Sequence, residues 1–386
     1  MKEVSIGLVG CSSRIKGILN HISTLGKQIK IGALYDIDPK RASEFREQYN
    51  KNAMICSSYE EMLALKNIEW VLVSTYNSAH ACQSTKALRA GKKVFSEKPI
   101  ATNLADCRKL YDAYRDSGKK FMLGFTLRYS KFYRKIKEFL DSGEIGKVIS
   151  MEFNENIGFN HGGHIMCSWR RKEEFTGSHI LEKCCHDIDV VNWLLNSRAK
   201  YVASFGGRNF FKSENSYLLD KLAPDENGLK AYCQWPSAQG KNPFTSDKDI
   251  VDNQVVIIEY ADGVRATFHT NLNAGIPERR VYILGEFGAL RADFVASKIE
   301  FKKIGFQEKI REIFNTQMGS DAHGGADLIL AEHLEDLILN ENVEPLSTVE
   351  SGIESAIICF AIEEARKNHK IVDVDTYRFQ DVSQIH

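Results

Sequence analysis

The first third of the chain alternates short apolar runs with amphipathic stretches, and this alternation constrains the fold more than any other feature. VSIGLVG, IKIGALYD, WVLVSTYN, KKVFSEKP and KFMLGF read as buried strands. Between them PKRASEFREQY, SAHACQSTKALRAG and NLADCRKLYDAYRDSG carry apolar residues at helical spacing, two of them with a glycine near the end. Parallel neighbours need a crossover, so the repetition predicts a parallel sheet wound with helices on both faces. At 386 residues the chain exceeds one compact core, and a second domain is expected.

Open sheets of this kind bind ligands at the carboxyl ends of their strands, so the strand ends matter most. The first ends GLVGCSSRIKG. A dinucleotide fingerprint, G-x-G-x-x-G, would need three glycines there; only Gly10 fits, with Ser12 and Ile15 at the other places. Serine is small enough to let backbone amides approach a pyrophosphate, while Ile15 is expected to push the helix slightly off the sheet. A plain strand-to-helix turn fits equally.

Asp36 ends the second strand, where an acid can accept bonds from ribose hydroxyls and repels a 2′-phosphate; NAD is favoured over NADP. Asp38, before Pro39, is the better helix cap, and Lys40 and Arg41 leave NADP open. Asn77 and His80 follow the next strand end, as site residues or as a cap and a surface residue. In FSEKPIATN, Lys98 follows a strand ending at the same rim. It can bond a substrate hydroxyl and stabilise a developing alkoxide, with Pro99 fixing the turn; a surface loop lysine is the alternative.

From about Thr126 the pattern changes. The helix RYSKFYRKIKEFLDSG is followed by strands KVISMEF, YVASFGG, NQVVIIEY, VRATFHT, RRVYILG and ALRADF. Asp262-Gly263 between two of them is a hairpin signal, so antiparallel pairing is expected. The polar stretch between Phe211 and Asp249 is long for a passive connection and suggests an insert near a site or subunit contact.

HILEKCCHDIDVVNWLL, read as a helix, sorts its residues by spacing alone. Cys184, Ile188, Val191 and Leu195 form an apolar stripe; Glu182, His186 and Asp189 fall roughly opposite. Adjacent Cys184 and Cys185 are poorly spaced for a redox dithiol, and no established zinc spacing occurs, although Glu182 and His186 with His161, His164 or His179 could share a cation. His186 can exchange a hydroxyl proton near neutral pH, with Glu182 or Asp189 orienting its ring. An ordinary polar helix face is the alternative.

Lysine plus arginine equals aspartate plus glutamate, 51 each, which gives no long-range pull toward nucleic acid. The start has no secretory pattern, no apolar run approaches the roughly 20 residues of a membrane span, and nine scattered cysteines suit a reducing compartment. A cytoplasmic protein is expected.

GLVGCSSR, STYNSAH, AGKKVFSEKPIATN, GFTLRYSKFYRKIKEFLDSGEIGKV, GSHILEKCCHDIDVVNWL and SGIESAIICFAIEEARK together make the chain resemble the Gfo/Idh/MocA family of NAD(P)-dependent oxidoreductases. The resemblance runs from the first strand nearly to the end. It implies a dinucleotide-binding Rossmann domain, 1–125. A substrate-binding and oligomerisation α+β domain, 126–386, would follow with a large, mostly antiparallel open sheet. The last helix, about 351–368, would pack back on the first domain. It also implies NAD, with NADP possible, a sugar, polyol or sugar derivative as substrate, and a homodimer or homotetramer.

By resemblance Lys98 is the lysine of the family's EKP motif, its bond to Pro99 often being cis in relatives. Glu182, His186 and Asp189 take the family's acid, histidine and acid places, although relatives often have aspartate at the first and glycine where Cys184 stands. The expected cofactor set is Gly10, Ser12, Ser13, Arg14, Asp36, Thr75, Asn77, His80, Glu97 and Lys98. The expected substrate set is Lys98, Arg128, Tyr129, His161, Trp169, Arg170 and His186, with no metal required. Arg128 and Tyr129 could equally clamp the domain junction, and HGGAD at 323–327 is structural or substrate-side.

The leading expectation is a dehydrogenase in which Lys98 polarises oxygen and His186 exchanges the proton, the two converging over one nicotinamide face. The rivals are an NAD-dependent glycosidase or lyase working through a transient keto-sugar, and a non-catalytic dinucleotide-binding regulator.

Overall fold

The computed structural model describes residues 3–235, 240–315 and 323–379. They divide into two compact units: residues up to 131 with 323–356, and residues 132–315 with 357–379. The first unit is built on β1 (Val4–Val9), β2 (Ile29–Tyr35), β3 (Met54–Ile55), β4 (Ile68–Val73), β5 (Lys93–Ser96) and β6 (Phe121–Leu123). Their order is β3-β2-β1-β4-β5-β6 and every pair is parallel. The chain reverses direction across the sheet between β1 and β4, which makes that rim the ligand-binding switch point of such folds. Helices α1 (Ser13–Leu19), α2 (Pro39–Tyr49), α3 (Tyr59–Ala64), α4 (Asn77–Arg89) and α5 (Leu104–Ser117) make the crossovers.

Local chemistry sets the helix ends. Asp38 accepts the Lys40 amide at 3.1 Å with Pro39 at the first helical position, while Ser58 and Asn103 cap α3 and α5. Ser12 caps α1, so the hydroxyl at the fingerprint's second place is spent on the Ile15 amide and on Ser74 Oγ, at 2.5 Å. Ile15 itself is buried in the core. Gly10 has φ +86°, and a Cβ there would lie 2.4 Å from the Ser74 carbonyl oxygen, so the turn admits only glycine.

The second unit begins within α6 (Lys131–Asp141) and holds β7 (Val148–Gly158), α7 (Phe159–Cys167), α8 (Glu173–Thr176), α9 (His179–Leu195), β8 (Ala199–Gly207) and α10 (Leu218–Lys221). It continues with β9 (Asn253–Tyr260), β10 (Arg265–Ala274), β11 (Arg280–Gly285), β12 (Gly288–Asp293), β13 (Lys298–Lys303) and β14 (Arg311–Asn315); β15 (Val372–Asp373) comes after the return to the first unit. The nine described strands run β14-β13-β12-β11-β7-β10-β9-β8-β15, antiparallel except for β7 with β10. The expected hairpin forms at Asp262-Gly263 between β9 and β10. Along β7 the residues Met151, Phe153, Glu155 and Ile157 are buried on one face, an alternation that sets an acid among apolar neighbours. That inner face packs on α6 through Phe139 against Phe301 and on α9 through His179, whose Nε2 lies 3.1 Å from Thr270 Oγ1.

The stretch between β8 and β9 is not a loose connection. Phe210, Phe211, Tyr232 and Phe244 form an aromatic cluster with Phe159 of α7. Asp252 closes its root by accepting the amides of Asn209, Phe210 and Phe211 at 2.8–3.0 Å. Gly162 and Gly163 let α7 approach closely, since Cβ atoms would sit 1.7 Å from Leu272 O and 2.1 Å from Tyr232 O.

The boundary drawn at residue 125 in chain order differs from the structure, because 323–356 return to the first unit. Here α11 (Ala326–Leu339) buries Leu330, Ala331 and Leu334 in the core of the parallel sheet, each leucine contributing roughly 1.5–3 kcal/mol. Polar bonds fix the return: Glu335 accepts from Ser23 and Thr24, and Arg128 Nη1 donates to the Leu346 carbonyl. The last helix, α12 (Val349–Asn368), contributes its residues up to 356 to the first unit. Arg14 completes the closure, with Nε on Glu97 (2.9 Å), Nη1 on Asp327 (2.6 Å) and Nη2 on Thr126 Oγ1 (2.7 Å).

Gly10→Ala should lower stability by on the order of 2–4 kcal/mol, read by chemical denaturation, because both φ and the Ser74 carbonyl oppose a side chain. Arg14→Met should cost about 2–3 kcal/mol by stranding two carboxylates. Against burial, the His323 bond and the Arg14 charge hold the Asp327 carboxyl well below the usual range. A depressed folded pKa stabilises above the unfolded value and is lost as pH falls. The melting-temperature gap between Arg14→Met and the parent should therefore be widest at neutral pH, begin to narrow below about pH 4 and go on narrowing as the pH falls towards the depressed folded value.

Candidate active site

The carboxyl rim of the parallel sheet gathers the candidate residues of the first unit. Gly10, Ser12 and Ser13 follow β1, Asp36 follows β2, Thr75 and Asn77 follow β4, and Glu97 and Lys98 follow β5. Asp36 accepts the Cys11 amide through Oδ2 (2.7 Å) and the Asp38 amide through Oδ1 (2.8 Å), leaving a lone pair on each oxygen. It is the brace of the turn as well as the acid at the ribose position. Asn77 is buried as the first residue of α4 and is not its cap, a position held by Tyr76. Thr75 Oγ1 lies 2.6 Å from Gln83 Oε1.

His80 is buried rather than a surface residue. Its Nδ1 faces the Pro99 carbonyl at 2.9 Å and its Nε2 the Thr75 carbonyl at 3.3 Å; burial pushes its pKa down. It ties the end of β4 to the EKP turn. Glu97 is buried beneath Arg14, and Lys98, half-buried, precedes Pro99 through a cis peptide bond. A phosphate-approachable turn, an acid after the second strand and a lysine after the fifth share one rim, and these residues fit a nicotinamide dinucleotide. Arg14 stands in the turn, but its nitrogens are engaged by Glu97, Asp327 and Thr126. Tyr129, expected on the substrate side, is fully buried in the first unit's core, its ring 5.5 Å from that of His333.

In the second unit the polar stripe of α9 is not a solvated face: Glu182, His186 and Asp189 are all buried. Ser178 caps the helix on the Leu181 amide, and Asn196 closes it with a left-handed φ of 49°. Glu182 accepts from Arg170 Nε at 3.0 Å, and Arg170 stacks on Trp169, 4.5 Å from guanidinium carbon to ring centroid. Lys183 pairs with Glu155 of β7 at 3.1 Å. His161 and His164 of α7 set their rings edge-on to Trp235, at 5.4 and 6.0 Å. Burial, then repulsion from Lys183, pushes the His161 pKa down to about 3, so its ring is neutral.

The partner of His186 was not legible in the helical stripe. Arg279, just before β11 and 6% exposed, places Nη2 2.8 Å from His186 Nε2. The same guanidinium grips Asp187 with Nε and Nη2, both at 2.8 Å, and reaches Glu155 at 2.7 Å. Against burial, Arg279 and Lys183 pull Glu155 below its ordinary range, whereas burial outweighs Arg279 at Asp187 and pushes that carboxyl up to about 6. Two signals were available: the inward parity of Glu155 on β7, and an acid at Asp187 off the polar stripe. Nothing in RRVYILG marks its first arginine as buried.

All nine cysteines are free thiols, and burial pushes Cys184 well above its usual pKa, which suits a core residue. Among the described residues no group of three or more His, Cys, Asp or Glu is placed to hold a metal ion, and no helix is long and apolar enough to cross a membrane.

Comparison with known proteins extends these observations. Residues 4–125 match the oxidoreductase family with the NAD-binding Rossmann fold, and residues 133–291 match the GFO/IDH/MocA C-terminal domain. YteT of Bacillus subtilis (strain 168), an oxidoreductase by name, is 25% identical over 93% of this chain and 94% of its own. The inositol 2-dehydrogenase of Salmonella paratyphi B is 34% identical over 52% of this chain, which spans about half (55%) of that relative. Levoglucosan dehydrogenase, solved with NADH and levoglucosan, shares the fold with a TM-score of 0.78 at 17% identity, covering 97% of this chain and all of its own (100%). The chain belongs to the Gfo/Idh/MocA family of oxidoreductases, with an NAD-binding Rossmann domain as its amino-terminal part.

Proposed function

We propose that the protein is an NAD-dependent dehydrogenase that oxidises a ring hydroxyl of a sugar, cyclic polyol or sugar derivative. The observation that carries this reading is Lys98 at the carboxyl rim of an NAD-binding sheet, its neighbours fixed by Arg14 on Glu97 and by His80 on the Pro99 carbonyl. The inositol 2-dehydrogenases among the relatives support the substrate class.

NAD, when bound, supplies the hydride acceptor. In this reading the Lys98 ammonium polarises the hydroxyl oxygen and steadies negative charge as it develops. His186 is the acid–base group that exchanges the hydroxyl proton. Trp169, Arg170 and His161 present apolar faces beside polar edges, the mixture a sugar needs. Cytoplasmic placement belongs to the same reading and is supported by nine free thiols.

A homodimer or homotetramer is also part of the reading. On the outer face of the second unit's sheet Phe205, Val255 and Ile257 on one side and Tyr282 and Leu284 on the other are exposed, two apolar patches separated by Thr267 and Glu152, for a second copy to cover.

The test is turnover of a carbohydrate and polyol panel with NAD⁺, followed by NADH absorbance. Lys98→Met should lower kcat on the order of 10²–10³-fold while cofactor affinity changes little. Unaltered kcat in that variant would remove Lys98 from the chemistry. Glycosidic cleavage without NADH accumulation would replace the dehydrogenase reading with transient oxidation, and cofactor binding with no turnover of any carbohydrate would favour a regulator.

A further inference from the structure

We infer that Arg279 is a positioning residue that holds His186 as a neutral imidazole with its Nε2 lone pair presented to a donor, so that a substrate hydroxyl takes over the place of the arginine Nη2–H. The inference rests on the dehydrogenase reading for its consequence, but not for its geometry, which lies wholly within the second unit.

The chemistry of the donor decides the state of the ring. Arginine only donates and keeps its proton throughout the working pH range. With Nη2 2.8 Å from Nε2, that ring nitrogen must be the acceptor, and the hydrogen of the neutral ring sits on Nδ1. The guanidinium is itself immobilised, gripping Asp187 with two nitrogens and reaching Glu155 of β7.

The charge nearest His186 Nε2, the Arg279 guanidinium at 2.8 Å, opposes a proton there. Asp187 Oδ2, 3.5 Å from the same nitrogen, favours one but is itself bonded by Arg279 Nη2 at 2.8 Å; Lys183 stands against Glu155, and Glu182 is matched by Arg170. Tyr133 of α6, adjoining Arg279, Asp187 and Glu155, is pushed upward in pKa by burial and stays a neutral phenol; Asp293 of β12 adjoins that tyrosine. Asp189 is the remaining acid of the stripe. An imidazolium would therefore sit beside a fixed guanidinium in a buried cluster of otherwise matched charge.

A carbohydrate O–H is a donor of the same kind as the Nη2–H it displaces. Once it bonds Nε2, the proton passes from oxygen to Nε2 and the O–H electron pair forms the C=O bond. NAD⁺, when bound, would supply the acceptor for the hydride that leaves that carbon. Arg279 keeps its Asp187 and Glu155 contacts meanwhile, so the ring has one geometry to return to. A lysine could keep the charge but could not grip Asp187 with two nitrogens and also donate to the ring.

The experiment is long-range ¹⁵N–¹H NMR of the full chain carrying ¹⁵N-histidine, with the His186 signals assigned by their loss in His186→Gln. It is paired with the pH dependence of kcat/KM. In the parent protein, His186 should show protonated Nδ1 and unprotonated Nε2 at neutral pH; a protonated Nε2 or an imidazolium there would overturn the inference. Arg279→Lys, with folding checked by circular dichroism, should give mixed tautomers and raise the acid-limb pKa by on the order of one pH unit. A folded Arg279→Lys with unchanged tautomer and acid limb would reduce Arg279 to a structural residue. If that variant does not fold, the parent spectrum decides alone. The spectra need no substrate, so absence of carbohydrate turnover would defeat the dehydrogenase reading and leave this result standing on its own.

Discussion

A guanidinium drawn out of water, wholly for Arg279 and in part for Arg14, must be met by carboxylates, and in both units those carboxylates come from segments far apart in sequence. Arg14 collects Glu97, Thr126 and Asp327, closing the parallel sheet onto a helix that arrives more than three hundred positions later. Arg279 collects Asp187, Glu155 and the His186 ring, joining α9 to the middle of the nine-stranded sheet. Desolvating such charges offsets much of their attraction, so neither cluster is chiefly a source of net stability. Breaking either strands buried charge. The clusters therefore specify which segments meet, and the candidate active site inherits that specification.

The same economy of partners explains why conspicuous polar residues serve as braces. His80 and Asp36 stand where a dinucleotide would be expected, yet each also ties adjacent turns of the rim together. The carboxylate of Glu182, read from the helical stripe as a possible support for His186, accepts from Arg170 Nε. Positioning of this sort suits hydride and proton transfer, where small displacements of a reacting group cost rate steeply.

Much of the fold was legible because its signals are local. Apolar runs separated by helical spacing announced the parallel sheet, and Asp262-Gly263 announced its hairpin. β13 and β14 were missed because KIEFKK and REIFN are short and heavily charged, and α7 because its glycine pair weakens a helical reading. The return of 323–356 to the first unit rests on burial of Leu330 and Leu334, a long-range contact that no local pattern announces. At the site, the types of Lys98 and His186 were readable, but Arg279 was not. Its role depends on Asp187, one residue along α9 from His186, and on Glu155 across the sheet.

The way the stretch between β8 and β9 is rooted has an evolutionary consequence. One carboxylate, Asp252, gathers the amides on the far side of the root, and the aromatic cluster beyond it packs on Ile157 of β7, Ile165 of α7 and Leu272 of β10. The ladder of β8 and β9 beneath is held by backbone bonds, so exposed residues of the stretch that take no part in that cluster can change character without disturbing it. Diversification among relatives can thus be concentrated in an appendage that carries Trp235 toward the α7 histidines, while the sheet that holds Arg279 stays fixed.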